Sequence, residues 1–195
     1  MFEKRNLKSD ILMVIVLSLI GFVFEDLWML VRYSLIDNRN MFLPFLLGYG
    51  IFVVFIYDLI GTPKKLFHKF DSNKLLNVVI YFILCFILVS TGEIILGTLY
   101  EKIGHFSYWN YNHVKYHITK YTSIPTSLGF ALVITLFMSF IYEPLYKLVK
   151  KISKKTSIII IVIVLLALFI DLFISFRCMS INKGKNKVWE IRFNK

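Results

Sequence analysis

The sequence predicts an all-α, polytopic membrane bundle of about five spans, and three observations predict it. The 195 residues are 57% hydrophobic with a mean hydropathy of +0.69, whereas soluble domains average about 45–50% apolar residues. Five apolar runs, at 11–31, 43–62, 75–99, 125–146 and 157–176, each come close to the ~20 residues that cross a hydrocarbon core of about 30 Å. Lys and Arg gather in the short segments between runs, as membrane loops collect them. Residues 1–195 therefore read as a single integral membrane domain.

The N-terminal stretch Met1–Asp10 is basic and leads into an apolar run. No small-residue cleavage site closes that run, so it reads as a retained first span. Glu25 and Asp26 lie toward its far end, Gly21 precedes Glu25 by four residues, and Trp28 and Arg32 continue the face. The second span opens on Pro44-x3-Gly48-Tyr49 and later reads Phe55-Ile56-Tyr57-Asp58. The third carries Glu93, with Gly97 four residues on and Tyr100 and Glu101 beyond. The fourth opens on Pro125-x3-Gly129-Phe130 and later reads Phe140-Ile141-Tyr142-Glu143. Its likeness to the second suggests two parallel two-helix repeats plus one further span, a plan seen among transporters; chance between two Phe-rich helices gives the same pattern. The fifth span holds Asp171, then Ser175 and Arg177, and a basic tail follows.

Orientation comes from charge. The N-terminal segment (Lys4, Arg5, Lys8), the second loop (Lys64, Lys65, Lys69, Lys74) and the fourth (Lys147, Lys150, Lys151, Lys154, Lys155) hold twelve cations. The other loops hold Arg32, Arg39, Lys102, Lys115 and Lys120. The positive-inside rule then places the chain in the cell membrane with its N-terminus in the cytoplasm. The tail, with Arg177, Lys183, Lys185, Lys187, Arg192 and Lys195, argues the other way. The net charge of +11 follows from these loops, so nucleic acid is not an expected partner; membrane lipid is.

Every span carries a carboxylate, and an ionised side chain deep in hydrocarbon costs about 2.5–3.5 kcal/mol on insertion scales. Glu25, Glu93 and Asp171 fall five or six residues inside the outer ends of their spans, roughly 8–9 Å deep at 1.5 Å per residue. Such residues mark a functional interior. Arg32 is the expected counter-ion for one of them. Asp58 and Glu143 lie beside Lys64, Lys65 and Lys147, where interfacial ion pairing, including a Glu143–Lys147 pair one turn apart, explains them.

Residues 100–124 form an aromatic loop with Tyr108, Trp109, Tyr111, Tyr116 and Tyr121. It fits an interfacial aromatic belt, or a lid over the acidic pocket. His113-x3-His117 would share one face if helical and, with His105 and Glu93 or Glu101, could hold a metal, although the third ligand has no fixed spacing. The expectation is no metal and no cofactor. No glycine-rich phosphate loop is present, so ATP-driven work would need a separate ATPase chain. Neither a GxSxG elbow nor a CxxC is present, which disfavours serine hydrolysis and thiol exchange. Cys85 and Cys178 fall at different depths and read as free thiols.

The strings Gly21-Phe-Val-Phe-Glu25-Asp, Asn38-Arg39-Asn40 running into Pro44-x3-Gly48-Tyr49-Gly50, Gly92-Glu93 with Gly97 and Glu101, and Trp109-Asn110-Tyr111 resemble a family of small bacterial membrane proteins classed as type IV ABC-transporter permeases. The likeness covers about 16–148. Asn110 stands where that family tends to have aspartate, and Tyr121-Thr-Ser-Ile-Pro replaces a glycine-rich stretch. The resemblance implies a polytopic protein with a transport role.

The reading that results is a membrane transporter or permease subunit with an acid-lined outer cavity for a cationic or polar solute, or for proton coupling. Its binding residues would be Glu25, Trp28, Arg32, Glu93, Glu101, Trp109 and Asp171. Two alternatives stand beside it. One is an intramembrane enzyme on a lipid headgroup, with Glu93 and Glu101 as acid and base and His113 or His117 as ligand or second base. The other is a non-catalytic partner subunit of a membrane complex.

Overall fold

A computed structural model describes residues 6–67 and 73–193. Lys4, Arg5, Lys69 and Lys195, counted above for orientation, lie outside the described residues. Helices dominate: α1 (Leu7–Tyr33), α2 (Leu47–Ile60), α3 (Pro63–Leu66), α4 (Lys74–Gly104), α5 (Ile124–Phe140), α6 (Tyr142–Lys150) and α7 (Lys154–Ile181). Four are long and apolar enough to cross a membrane, counting α2 with α3 over Leu47–Leu66, and a fifth span results if α5 and α6 count as one. Short strands β1 (Leu35–Asp37), β2 (His117–Thr119), β3 (Thr122–Ser123) and β4 (Glu190–Arg192) lie in the loops and tail. The chain divides into two compact units, 1–54 with 148–195, and 55–147; the boundaries fall inside α2 and α6.

In the first unit α1 and α7 run side by side in the same direction. At one end Lys8 Nζ donates to the Ile152 carbonyl at 2.9 Å. At the other, β1 and β4 pair antiparallel with Ile36 opposite Ile191. The tail therefore returns to the loop after the first span. The sequence carried no sign of that pairing, which sets the tail beside the loop after the first span, where a fifth span would leave it. The interior of this unit mixes large apolar side chains such as Leu12, Met13, Leu168 and Met179 with buried Ser9, Ser18, Asp171 and Ser175, while Val31, Ile163 and Phe173 face outward. Outward-facing apolar side chains are the arrangement expected where lipid surrounds the helices.

The second span begins later than its apolar run suggests, because residues 38–46 are held as a loop. Asp171 accepts from the backbone N–H of Phe42 and of Leu43, each at 2.9 Å, and from Ser175 Oγ at 2.9 Å. Asn38 Nδ2 donates to the carbonyls of Met41 and Asn186 at 2.9 and 2.8 Å. Asn186 Nδ2 donates to Asn40 O at 3.0 Å and to Ser175 Oγ at 3.3 Å. A helix running through this segment would take those donors for itself, and Pro44 cannot supply one.

In the second unit α4 packs along α5. The predicted fourth span is broken: α5 and α6 meet at 54°. Pro144 is the cause, since it lacks an N–H and its ring clashes with the carbonyl of Phe140, four residues back. The repeated Phe-Ile-Tyr-acid strings meet here, with Tyr57 stacked on Tyr142 at a centroid distance of 4.2 Å. Glu143 takes Thr62 Oγ1 at 3.0 Å and Lys65 Nζ at 3.7 Å, so the expected pairing with Lys147 is replaced by one with α3. The matching prolines differ in position: Pro44 precedes α2, whereas Pro125 lies in the first turn of α5.

Asp171→Ala would leave two backbone N–H groups without an acceptor, each worth about 1–3 kcal/mol when buried. The expected loss is at least about 2 kcal/mol of stability, read as a lower thermal midpoint in detergent, with Asp171→Asn intermediate because its carbonyl still accepts.

Candidate functional site

The acids in the spans fall into two chemical sets. Glu101 receives Lys120 Nζ at 2.7 Å together with the Tyr121 hydroxyl. Asp26 and Asp37 share Arg39, whose Nε lies 3.6 Å from Asp26 Oδ1 and 2.6 Å from Asp37 Oδ1. Glu143 has Lys65. Outside the spans, Glu190 is flanked by Lys187 and Arg192, and their hydrogen bonds hold its carboxyl below the ordinary range.

Glu25 and Glu93 differ. Glu25 receives the Tyr49 hydroxyl, and Glu93 receives Thr122 Oγ1 at 2.6 Å, Ser127 Oγ at 2.9 Å and the Tyr111 hydroxyl. Among the described residues no Lys, Arg or His forms an ion pair with either. Asp171 likewise has only backbone and hydroxyl donors.

A recurring local device sets two of these contacts. Gly21 stands one turn before Glu25, and an added Cβ there would lie 2.6 Å from Tyr49 Cβ. The missing side chain lets the Tyr49 ring lie on α1 and reach the acid one turn on. Gly97 stands one turn before Glu101 and does the same for Tyr121, whose Cβ would be 2.9 Å from an added methyl. Both cases read Gly-x3-Glu in the sequence, with four residues per step placing glycine and glutamate on one face. The same hairpin that carries Tyr121 presents Thr122 to Glu93.

The aromatic loop closes over this end of α4. Trp109 Nε1 donates to the Tyr121 carbonyl at 2.7 Å, and the rings of Tyr100, Phe106, Tyr108 and Trp109 form a cluster with centroids 5.1–6.3 Å apart. Among the acceptors it covers, every donor to Glu93 and Glu101 except Ser127 comes from residues 111–122.

The remaining predicted residues are placed as follows. Glu25, Trp28, Arg32 and Asp171 belong to the first unit, and Glu93, Glu101 and Trp109 to the second. Trp28 is exposed at 58%. Arg32 forms no ion pair among the described residues; it lines an open groove with Met29, Leu35, Arg192 and Phe193. The counter-ion role expected of it toward Glu25, Glu93 or Asp171 is filled by no cation among the described residues; Arg39 pairs instead with Asp26 and Asp37. His113 and His117 are exposed and do not share a helix face: residues 113–116 are turn, and His117 lies in β2 with Nδ1 3.1 Å from the Val114 carbonyl. The helical premise of the metal reading is therefore not met. Among the described residues no three His, Cys, Asp or Glu side chains assemble as a metal site. Cys85 and Cys178 are free. Sequence reasoning missed Tyr49, Thr122, Ser127 and Asn186; of these, Tyr49 and the Thr122-Ser123 pair lie inside strings already noted, while Asn186 carries no signal.

Gly97→Ala would push a methyl into the Tyr121 ring and separate Tyr121 from Glu101. Overpacking of this kind costs about 1–3 kcal/mol. Gly129, also in a helix, has nothing within 4 Å of an added Cβ, so Gly129→Ala should be neutral or stabilising by up to about 1 kcal/mol. Thermal midpoints of the two variants in detergent check the contrast.

The sequence matches, over residues 12–176, the family described as "Putative ABC-transporter type IV". No curated protein and no solved structure matches the chain. The match covers most of the chain, including α1, α2, α4, α5 and nearly all of α7. The chain belongs to this family and is a multi-pass, ABC-transporter-related membrane protein.

Proposed function

We propose that the chain is the membrane subunit of a transport system in which Glu25 and Glu93 take up a proton or the positive end of a cationic or polar solute. One observation carries this reading: inside apolar spans these two acids meet hydroxyls only, while Asp26, Glu101 and Glu143 each meet a cation. Hydroxyl donors orient a carboxylate but leave its charge uncompensated in hydrocarbon. A proton or a cationic group supplies what is lacking and leaves when the site opens to water. The chain has no phosphate-binding loop, so energy from ATP would come from a separate subunit, in keeping with the family description. Membrane lipid surrounds the outward apolar faces.

Proteoliposomes test this. Flux of protons and of labelled small amines is expected to fall at least about tenfold in Glu25→Gln and in Glu93→Gln, with helix content and elution volume unchanged. Wild-type flux in both variants overturns the proposal. Glu143→Gln, which removes an ion-paired acid, should leave flux near wild type.

The orientation proposed is N-terminus in the cytoplasm and tail outside. In a background without Cys85 and Cys178, an impermeant maleimide applied to intact cells should label Lys187→Cys at once and Lys8→Cys only after permeabilisation. The opposite order would reverse the topology.

A further inference from the structure

Glu93 Oε2, Thr122 Oγ1 and Ser127 Oγ form a triangle with sides of 2.6, 2.9 and 2.8 Å. Every side has the length of an O–H···O bond. Each side needs one hydrogen, and each hydroxyl brings one. With Glu93 ionised, two hydrogens serve three sides. Whichever way the hydroxyls turn, one side then sets oxygen lone pairs against each other at under 3 Å. A third hydrogen, on Oε2, removes the conflict: each oxygen donates once and accepts once, and the ring is closed. The Tyr111 hydroxyl also bonds the carboxyl, and its hydrogen is additional to the two that Thr122 and Ser127 bring.

We infer that Glu93 holds a proton in this state, as a neutral carboxylic acid closing a ring with Thr122 and Ser127, and that the cargo of this site is a proton rather than a metal or organic cation. The inference rests on the reading of Glu93 as a transport site and narrows it. Its surroundings agree. The helix α5 has no titratable side chain along Ile124–Phe140, and β3 has none. On α4 the nearest titratable groups are Cys85, two turns before, and Tyr100 and Glu101, two turns after, Glu101 being already held by Lys120 and Tyr121. The lysines of α3, Lys64 and Lys65, sit at the other end of α4, where Tyr81 donates to the Gly61 carbonyl at 2.7 Å and Lys65 bonds Tyr57 and Glu143. A neutral acid needs no counter-ion, and none is supplied among the described residues. Release requires the ring to break, and Thr122 moves only with the hairpin that carries Tyr121. The proton would pass to water, or to an acceptor on the side of the Tyr111 loop, as that hairpin lifts.

Infrared difference spectra of the protein in lipid vesicles test this. The spectrum of wild type minus Glu93→Gln at neutral pH should show a carboxylic-acid C=O band that shifts in D₂O. Ser127→Ala, which opens the ring, should move the band without abolishing it. A carboxylate band in its place overturns the inference. Thermal midpoints give a second measure: the amide of Gln supplies the missing hydrogen, so Glu93→Gln should melt near wild type and Glu93→Ala clearly lower. Equal losses in both would overturn the inference. The band is read without flux, so its presence with no flux rejects transport and keeps the proton. Intact flux with a carboxylate band does the reverse.

Discussion

Hydrocarbon offers no partner to a polar group, so the backbone donors and acceptors of a membrane chain must find theirs within the protein. In the first unit that requirement is met at Asp171. Its two oxygens collect the N–H groups of Phe42 and Leu43 and the hydroxyl of Ser175. The irregular loop before α2 exists because this carboxylate satisfies it. Asn38 and Asn186 complete the arrangement by exchanging bonds with each other's neighbourhoods. Removing the acid would leave the loop with donors and nothing to receive them. An acid first considered as a binding group is thus fully engaged in structure.

The contrast among the other acids has a physical basis. An ion pair at the headgroup level costs little to form and contributes little, and Glu101 with Lys120, about 40% exposed, is of that kind. A carboxyl held by hydroxyls in the apolar region is different. Its charge state is set by what else enters, because neutral donors stabilise either form. Such a group can respond to a proton or a cation, whereas a paired one already has its answer. The Gly-x3-Glu device serves both kinds, which shows that the glycine positions a tyrosine and does not choose the acid's role.

The legible part of the fold was the part written locally. Hydropathy located α1, α4 and α7 within a few residues at their cores, since a span needs only length and apolarity. Glu25, Glu93 and Glu101 stood out because charge in such a run is costly. Pro144 was passed over as a breaker, because the apolar run read over 125–146 continues past it and conceals the 54° bend. The partners were illegible for a different reason. Tyr49 reaches Glu25 across 24 positions and Ser127 reaches Glu93 across 34, and no period in the sequence encodes which hydroxyl will meet which acid. Arg32 looked like a counter-ion because it shares a face with Glu25; Glu25 instead meets the Tyr49 hydroxyl, and Arg39, turned back by positive φ at 39 and 40, pairs with the neighbouring Asp26. The pairing of β1 with β4 lies between a loop and a tail that carry no strand pattern long enough to read.

The bonds from Phe42 and Leu43 to Asp171 join positions 129 and 128 apart. Synthesis delivers the chain from its N-terminus, so the first hairpin is threaded into the bilayer long before its acceptor leaves the ribosome. Until then those amides must stay with water at the headgroups. The loop cannot settle until the final helix arrives, and β4 then fastens it. The order of synthesis thus leaves the loop before α2 without its acceptor until α7 is made and brings Asp171 to it.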